Sequence, residues 1–276
     1  MTERRVPDGA IRVVVSGVGV EVVHRPCPGR PTLVFLHEGL GSASMWRAYP
    51  QRLAERSGCG WMVYSRQGYG GSDPIPLPRP LTYMHLDGQV VLPSLLEQLQ
   101  VADPILYGHS DGASIALIAA GGGHVSTRAM ILEAPHVFRE AISLQAIEET
   151  TRAYQTTDLR ARLMRHHGDN VDGAFWGWSD AWRAPGFGDW NLEGVLAGVH
   201  APVLLFQGRA DPYGTLAQID AIASQVSGPC MVEILDDCGH APHRERTDAV
   251  LERAARFLLT GAARPQNEQA QTTEAQ

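Results

Sequence analysis

Pro104-Ile105-Leu106-Tyr107-Gly108-His109-Ser110-Asp111-Gly112 decides the fold, because a short apolar run ends in a G-x-S-x-G pentapeptide and a helical pattern starts directly after it. Ile105 to Tyr107 read as a buried strand, and Ala113, Ile115, Ala116, Ile118, Ala119 and Ala120 as a packed helix. A chain that passes from strand to helix at one residue forces that residue into a strained, often positive-φ conformation. Bulky neighbours would collide there, which accounts for Gly108 and Gly112. Such a turn exposes the serine Oγ at the start of a helix, whose free N–H groups stabilise developing negative charge.

A neutral serine hydroxyl is a poor nucleophile and needs a general base of near-neutral pKa, for which histidine is suited. His240 follows the last predicted strand, in Asp236-Asp237-Cys238-Gly239-His240, where its loop falls at the carboxyl edge beside the serine. His243 is the nearest rival. His109 adjoins the serine but is directed away by the turn, and His166 and His167 read as solvated positions of a helical segment. The base needs a buried carboxylate to hold its tautomer. Asp211, in Gly208-Arg209-Ala210-Asp211-Pro212, follows the strand Pro202 to Phe206 and faces the same edge, with Glu133 as the alternative acid. Asp236 and Asp237 are too near His240 in sequence to be first choice. A tetrahedral oxyanion needs two N–H donors, expected from the Asp111 amide and, in the loop His37-Glu38-Gly39-Leu40-Gly41-Ser42, from Gly39.

A chain of 276 residues, 44% hydrophobic, suits one large α/β domain carrying an insertion. The net charge of −7 without a basic cluster argues against nucleic acid or an anionic membrane as partner, and leaves a small-molecule substrate, with a homo-oligomer open. Met1 to Gly9 is polar with no apolar h-region after it, and no run approaches the ~18 apolar residues of a membrane span, so a soluble, cytoplasmic protein is expected. The 4 cysteines lack C-x-x-C spacing and read as reduced thiols rather than a zinc site or disulfide framework. All 23 basic residues are arginine, and the absence of lysine excludes Schiff-base chemistry and a Ser-Lys dyad. No metal or cofactor is expected.

Ile11 to Val15 and Val20 to His24 read as a hairpin around Ser16-Gly17, followed by strands at Thr32 to Leu36, Trp61 to Tyr64, Pro104 to Tyr107, Ala129 to Leu132, Pro202 to Phe206 and Cys230 to Leu235. Helical patterns cover Trp46 to Arg56, Leu81 to Leu99 with an interruption at Pro93, Leu216 to Val226 and Ala249 to Leu259. This alternation predicts a mostly parallel, doubly wound sheet with an antiparallel start. The stretch 136–198 is too long for a βα connection and carries helical stretches (Ala141 to Tyr154, Asp158 to His167) and the aromatics Phe175, Trp176, Trp178, Trp182 and Trp190. It reads as a helical cap inserted into a core of 1–135 and 199–262, with 263–276 a polar, disordered tail. Trp176, Trp178 and Trp182, with His37 and Glu38, are the candidates for the substrate pocket.

The pentapeptide, the order Ser110, Asp211, His240, the His37 loop and the turn Ser65-Arg66-Gln67-Gly68-Tyr69-Gly70-Gly71-Ser72-Asp73 together resemble the α/β-hydrolase superfamily, in its branch of lactonases, carbon–carbon bond hydrolases and small-ester esterases. The resemblance spans Thr32 to Leu259. It implies an α/β-hydrolase fold, a mostly parallel eight-stranded twisted sheet flanked by helices with an inserted helical cap. For activity it implies a cofactor-independent serine hydrolase of an ester, lactone or thioester of a small carboxylic acid. The alternatives are a carbon–carbon bond hydrolase of a meta-cleavage-type diketone, or a non-hydrolytic perhydrolase, lyase or receptor. Two residues depart from the family pattern: Glu38 stands where a glycine is usual, and Asp111 sets a carboxylate beside the nucleophile. Either these side chains turn from the site or pair with Arg66, or one faces the pocket and fits a cationic or hydroxyl-bearing substrate group.

Overall fold

The computed structural model describes residues 4–260; the expected tail at 263–276 lies outside the described residues. Its strands are β1 Ile11–Val15, β2 Val18–Arg25, β3 Thr32–Leu36, β4 Gly60–Ser65, β5 Pro104–His109, β6 Ala129–Glu133, β7 Val203–Gly208 and β8 Cys230–Leu235. They form one sheet in the order β1-β2-β4-β3-β5-β6-β7-β8. β1 and β2 pair antiparallel through a two-residue turn in which Ser16 (φ 50) and Gly17 (φ 83) both take positive φ, the geometry whose twist suits a hairpin. β2 meets β4 antiparallel, and every later pairing is parallel.

From β3 the chain moves outward to β4 and then returns to β3's other side as β5, so the order reverses there. In open α/β sheets the crevice at such a switch point is where ligands bind. The loop after β3 and the turn after β5 therefore face one another across it.

Side chains alternate between the two faces of the sheet. Val34, Leu36, Leu106, Met130, Leu132, Val203 and Leu205 enter one apolar cluster, while Leu33, Phe35, Ile105, Tyr107, Ile131, Leu204 and Phe206 enter the other. The second face is covered by α1 (Tyr49–Ser57) and the C-terminal helix Thr247–Leu259. The first is covered by α2 (Tyr83–Leu86), α3 (Leu92–Gln98) and α4 (Asp111–Gly121), of which α4 is buried from Asp111 to Ala119. Between β6 and β7 lie α5 (Ala141–Thr156), α6 (Leu159–His167), α7 (Val171–Arg183) and α8 (Glu193–Leu196). After β7 come α9 (Leu216–Gln225), α10 (Pro242–Glu245) and α11, the C-terminal helix already described.

Two helical expectations are corrected. Trp46 is not in α1: a 3₁₀ turn, Ala43–Trp46, ends at Arg47 (φ 53), and the helix restarts at Tyr49 with Pro50 in its first turn, where a missing N–H costs nothing. Pro93 does not interrupt its helix. Pro93 cannot donate to the Gln89 carbonyl, and a π turn over Asp87–Val91 joins α2 to α3 without a break.

At the β5–α4 junction Ser110 adopts φ 54, ψ −120. A Cβ on Gly112 would stand 2.1 Å from the Leu36 carbonyl oxygen, and one on Gly108 would stand 2.5 Å from Ala113 Cα. Both walls are backbone and cannot give way. Gly112→Ala is therefore expected to cost about 1–3 kcal/mol or more in urea unfolding. Gly173→Ala, in α7 with nothing near its Cβ position, is expected to gain about 0.5–1 kcal/mol. Equal effects would contradict this packing.

Candidate active site

Ser110, Asp211 and His240 come from the ends of β5, β7 and β8, and the sheet brings them together. Ser110 Oγ lies 2.9 Å from His240 Nε2, and His240 Nδ1 lies 2.8 Å from Asp211 Oδ2. The Asp211 carboxylate also accepts the Tyr213 N–H at 2.8 Å and the Gln207 side-chain N–H at 2.9 Å. Burial raises its pKa, but His240 and the Tyr213 N–H outweigh that and hold it below the usual carboxylate range. A carboxylate can only accept, so it fixes a proton on His240 Nδ1 and, in the neutral imidazole, leaves Nε2 free to accept from Ser110.

The His240 loop is fixed from behind. His109 donates from Nε2 to the His240 carbonyl at 2.6 Å, which gives this neighbour of Ser110 a place behind the site. Glu133 meets His243, not His240: its carboxylate accepts the His243 Nδ1–H at 2.6 Å and the Tyr107 hydroxyl, and its carbonyl accepts the Ser110 N–H at 2.9 Å. One buried residue thus ties the turn bearing Ser110 to the loop bearing His240.

The sidedness of Glu38 and Asp111 is resolved differently for each. Asp111 accepts the Tyr83 hydroxyl at 2.6 Å and the Trp182 indole N–H at 3.3 Å, and Arg66 Nη1 lies 3.6 Å away. Its charge is drawn down toward Arg66, while its backbone N–H, first in α4, has no intrahelical acceptor. Glu38 turns toward His109 Nδ1 at 3.5 Å, and the histidine partners hold its carboxyl well below the usual range against burial. Both residues border a half-open cavity of ≈ 90 Å³ over Ser110, with Gly39, Trp178, Trp182 and His136.

His37 and Trp176 do not border this cavity. His37 is fully buried as a pillar of its loop, donating from Nδ1 to the Glu38 carbonyl at 2.7 Å and accepting the Arg66 N–H at 3.1 Å on Nε2. Trp176 lies two positions from Trp178 and so falls on another face of α7, against Tyr154 and Phe175. Trp178 and Trp182, four apart, share the cavity face. His166 and His167 are buried, correcting the expectation of solvated positions. α6 lands on the loops after β3 and β4, where His167 accepts the Gly70 N–H at 3.1 Å and donates to the Leu40 carbonyl at 3.0 Å, and His166 Nδ1 meets Ser44 Oγ at 2.8 Å.

Sequence reasoning missed His136, Tyr213 and the half-buried Asp87. His136 follows β6 by three residues, and its place at the carboxyl edge was the available signal. Among the described residues no cluster fit to hold a metal ion occurs, and no helix is long and apolar enough to cross a membrane.

The strand order, the strained serine turn and the three meeting loops define an α/β-hydrolase, and the chain belongs to the alpha/beta hydrolase family, whose model matches residues 33–253. It is 29% identical over 156 residues to the uncharacterized hydrolase YugF of Bacillus subtilis (strain 168), covering 56% of this chain and about half (51%) of that protein's length. It is 23% identical over 261 residues to 2-succinyl-6-hydroxy-2,4-cyclohexadiene-1-carboxylate synthase of Salmonella paratyphi C (strain RKS4594), covering 84% of this chain and 95% of that one. The crystal structure of the carboxylesterase CesB (YbfK) from Bacillus subtilis superposes with a TM-score of 0.70 at 18% identity, over 91% of this chain and 92% of that chain.

Asp87 packs on Arg66, 3.8 Å from Nη1, inside the π turn. Burial raises its pKa from 3.8 to about 6, with Arg66 and Arg79 opposing and Asp111 adding to the rise. A carboxyl whose folded pKa is raised keeps a proton that the unfolded chain releases, so its contribution to stability falls as pH rises from 3.8 to about 6. Asp87→Asn removes that loss. The difference in Tm between Asp87→Asn and the parent should widen in favour of the variant across this interval and level off above it; a difference independent of pH contradicts the assignment.

Proposed function

We propose that this chain is a serine hydrolase acting on an ester, lactone or thioester of a small carboxylic acid. The observation that carries the reading is the pair of short contacts from Ser110 Oγ to His240 Nε2 (2.9 Å) and from His240 Nδ1 to Asp211 (2.8 Å). His240 takes the Ser110 proton as Oγ attacks the carbonyl carbon, and Asp211 stabilises the imidazolium that forms. The oxyanion is held by the Asp111 and Gly39 amides. Collapse breaks the bond to the leaving oxygen or sulfur, which receives the proton from His240, and water deprotonated by His240 then releases the acid from the acyl-enzyme. The cavity of ≈ 90 Å³ is small beside the ~300–1,000 Å³ of sites for drug-sized ligands, which supports a short acyl group.

A second reading, carbon–carbon bond cleavage or a lyase reaction on the same three residues, is favoured by the likeness to the cyclohexadiene-carboxylate synthase. Turnover of a meta-cleavage diketone without turnover of p-nitrophenyl acetate would select it. The hydrolase reading expects p-nitrophenyl acetate to be hydrolysed, Ser110→Ala to lose at least about 10³-fold in kcat, and Asp211→Asn to lose about 10³–10⁴-fold at neutral pH. Retention of most activity by Ser110→Ala would overturn it.

A further inference from the structure

Among the described residues, the acidic and basic side chains other than histidine that border the cavity over Ser110 are all acidic. Glu38 and Asp111 border it, the Asp111 carboxylate drawn toward Arg66, and Asp211 lies behind His240, whereas among the described residues no arginine borders it. Arg66, whose guanidinium reaches both bordering acidic residues, is 2% exposed and already engaged: it donates to the Glu38 carbonyl at 2.9 Å and faces Asp111 at 3.6 Å and Asp87 at 3.8 Å. A carboxylate entering this space would lose water and meet Glu38, with no arginine among the described residues on the cavity wall to pair it, which a partly desolvated site punishes strongly.

The walls nevertheless offer N–H groups. Trp178 Nε1 stands directly over Gly39, 2.2 Å from where a Cβ would be, and among the described residues it has no hydrogen-bond partner. His136, which also borders the cavity, packs its ring near Trp182 and His240, with ring centroids 5.3 Å and 5.8 Å away. Burial and His240 lower its pKa to about 4, so the ring is neutral at pH 7. Its Nδ1 is sealed without a partner. A buried N–H left unpaired is rarer and costlier than an unpaired acceptor, so the proton sits on Nε2, and this N–H is what the ring can give to an occupant.

Resting on the hydrolase reading above, we infer that the cavity selects an uncharged short acyl group carrying a hydrogen-bond-accepting oxygen, held by His136 and Trp178, and rejects an acyl group that carries a carboxylate. Selection and rejection act through different residues, and each has its own measurement.

The test uses two isosteric pairs of ethyl esters, each rate divided by the ester's hydroxide-catalysed rate: methoxyacetate against butyrate, and monoethyl succinate against 4-methylpentanoate. The intact protein should prefer methoxyacetate in kcat/KM by about tenfold, and 4-methylpentanoate over monoethyl succinate by about 100-fold. His136→Phe and, separately, Trp178→Phe should shrink the first ratio toward unity, and Glu38→Gln should narrow the second. Equal rates within either pair, or ratios unmoved in the folded variants, would overturn the inference and leave the hydrolase reading standing. No turnover of any of the four esters would defeat that reading and the inference with it.

Discussion

The contact between Gly112 and the Leu36 carbonyl is the constraint on which the site depends. Only Ser110 separates β5 from α4, and α4 fits only because Gly112 has no side chain where it passes the end of β3. That close passage places Ser110 in its positive-φ conformation and sets the first N–H of α4 opposite the loop of Gly39. The order reversal of the sheet falls at the same two strands, so the crevice and the strained serine are consequences of one arrangement. The strain is held by the pairing of β5 with β3 and β6 on its two sides.

Around this turn the protein buries charge in compensated sets. Glu133 with His243 and Tyr107 fixes the His240 loop, and Arg66 with Asp111 and Asp87 lies beneath the cavity. Burying an ion is costly unless partners are in place, and removing one partner of such a set leaves the other uncompensated. Asp111 therefore carries two separate duties: its carboxylate belongs to the Arg66 set, and its amide opens on the cavity. The negative charge beside the serine, which on the sequence alone opposed an oxyanion, is offset from below by Arg66.

Much of this was legible in the residues, for physical reasons. Strands buried on both faces leave continuous apolar runs, so Thr32 to Leu36 and Ile105 to Tyr107 announce themselves, and parallel strands place the loops after them at one edge. That suffices to predict that Ser110, Asp211 and His240 share an edge. What was hidden depends on contacts between distant segments. Asp87 sits in an amphipathic helix whose phase the π turn shifts, so its partial burial follows no simple 3.6-residue period. His166 and His167 end a polar helix and are buried only because α6 meets the loops after β3 and β4. The separation of Trp176 from Trp178 and Trp182 was available from helical spacing, but the face that meets the cavity was not.

The central claim is that Ser110 is an activated nucleophile in the folded protein. A fluorophosphonate reacts with such a serine and with few others, so the most direct measurement is intact mass and peptide mapping after brief exposure to this probe. The account predicts one stoichiometric adduct, mapped to Ser110 and lost in His240→Ala. An unlabelled folded protein, or an adduct on another residue, would contradict it.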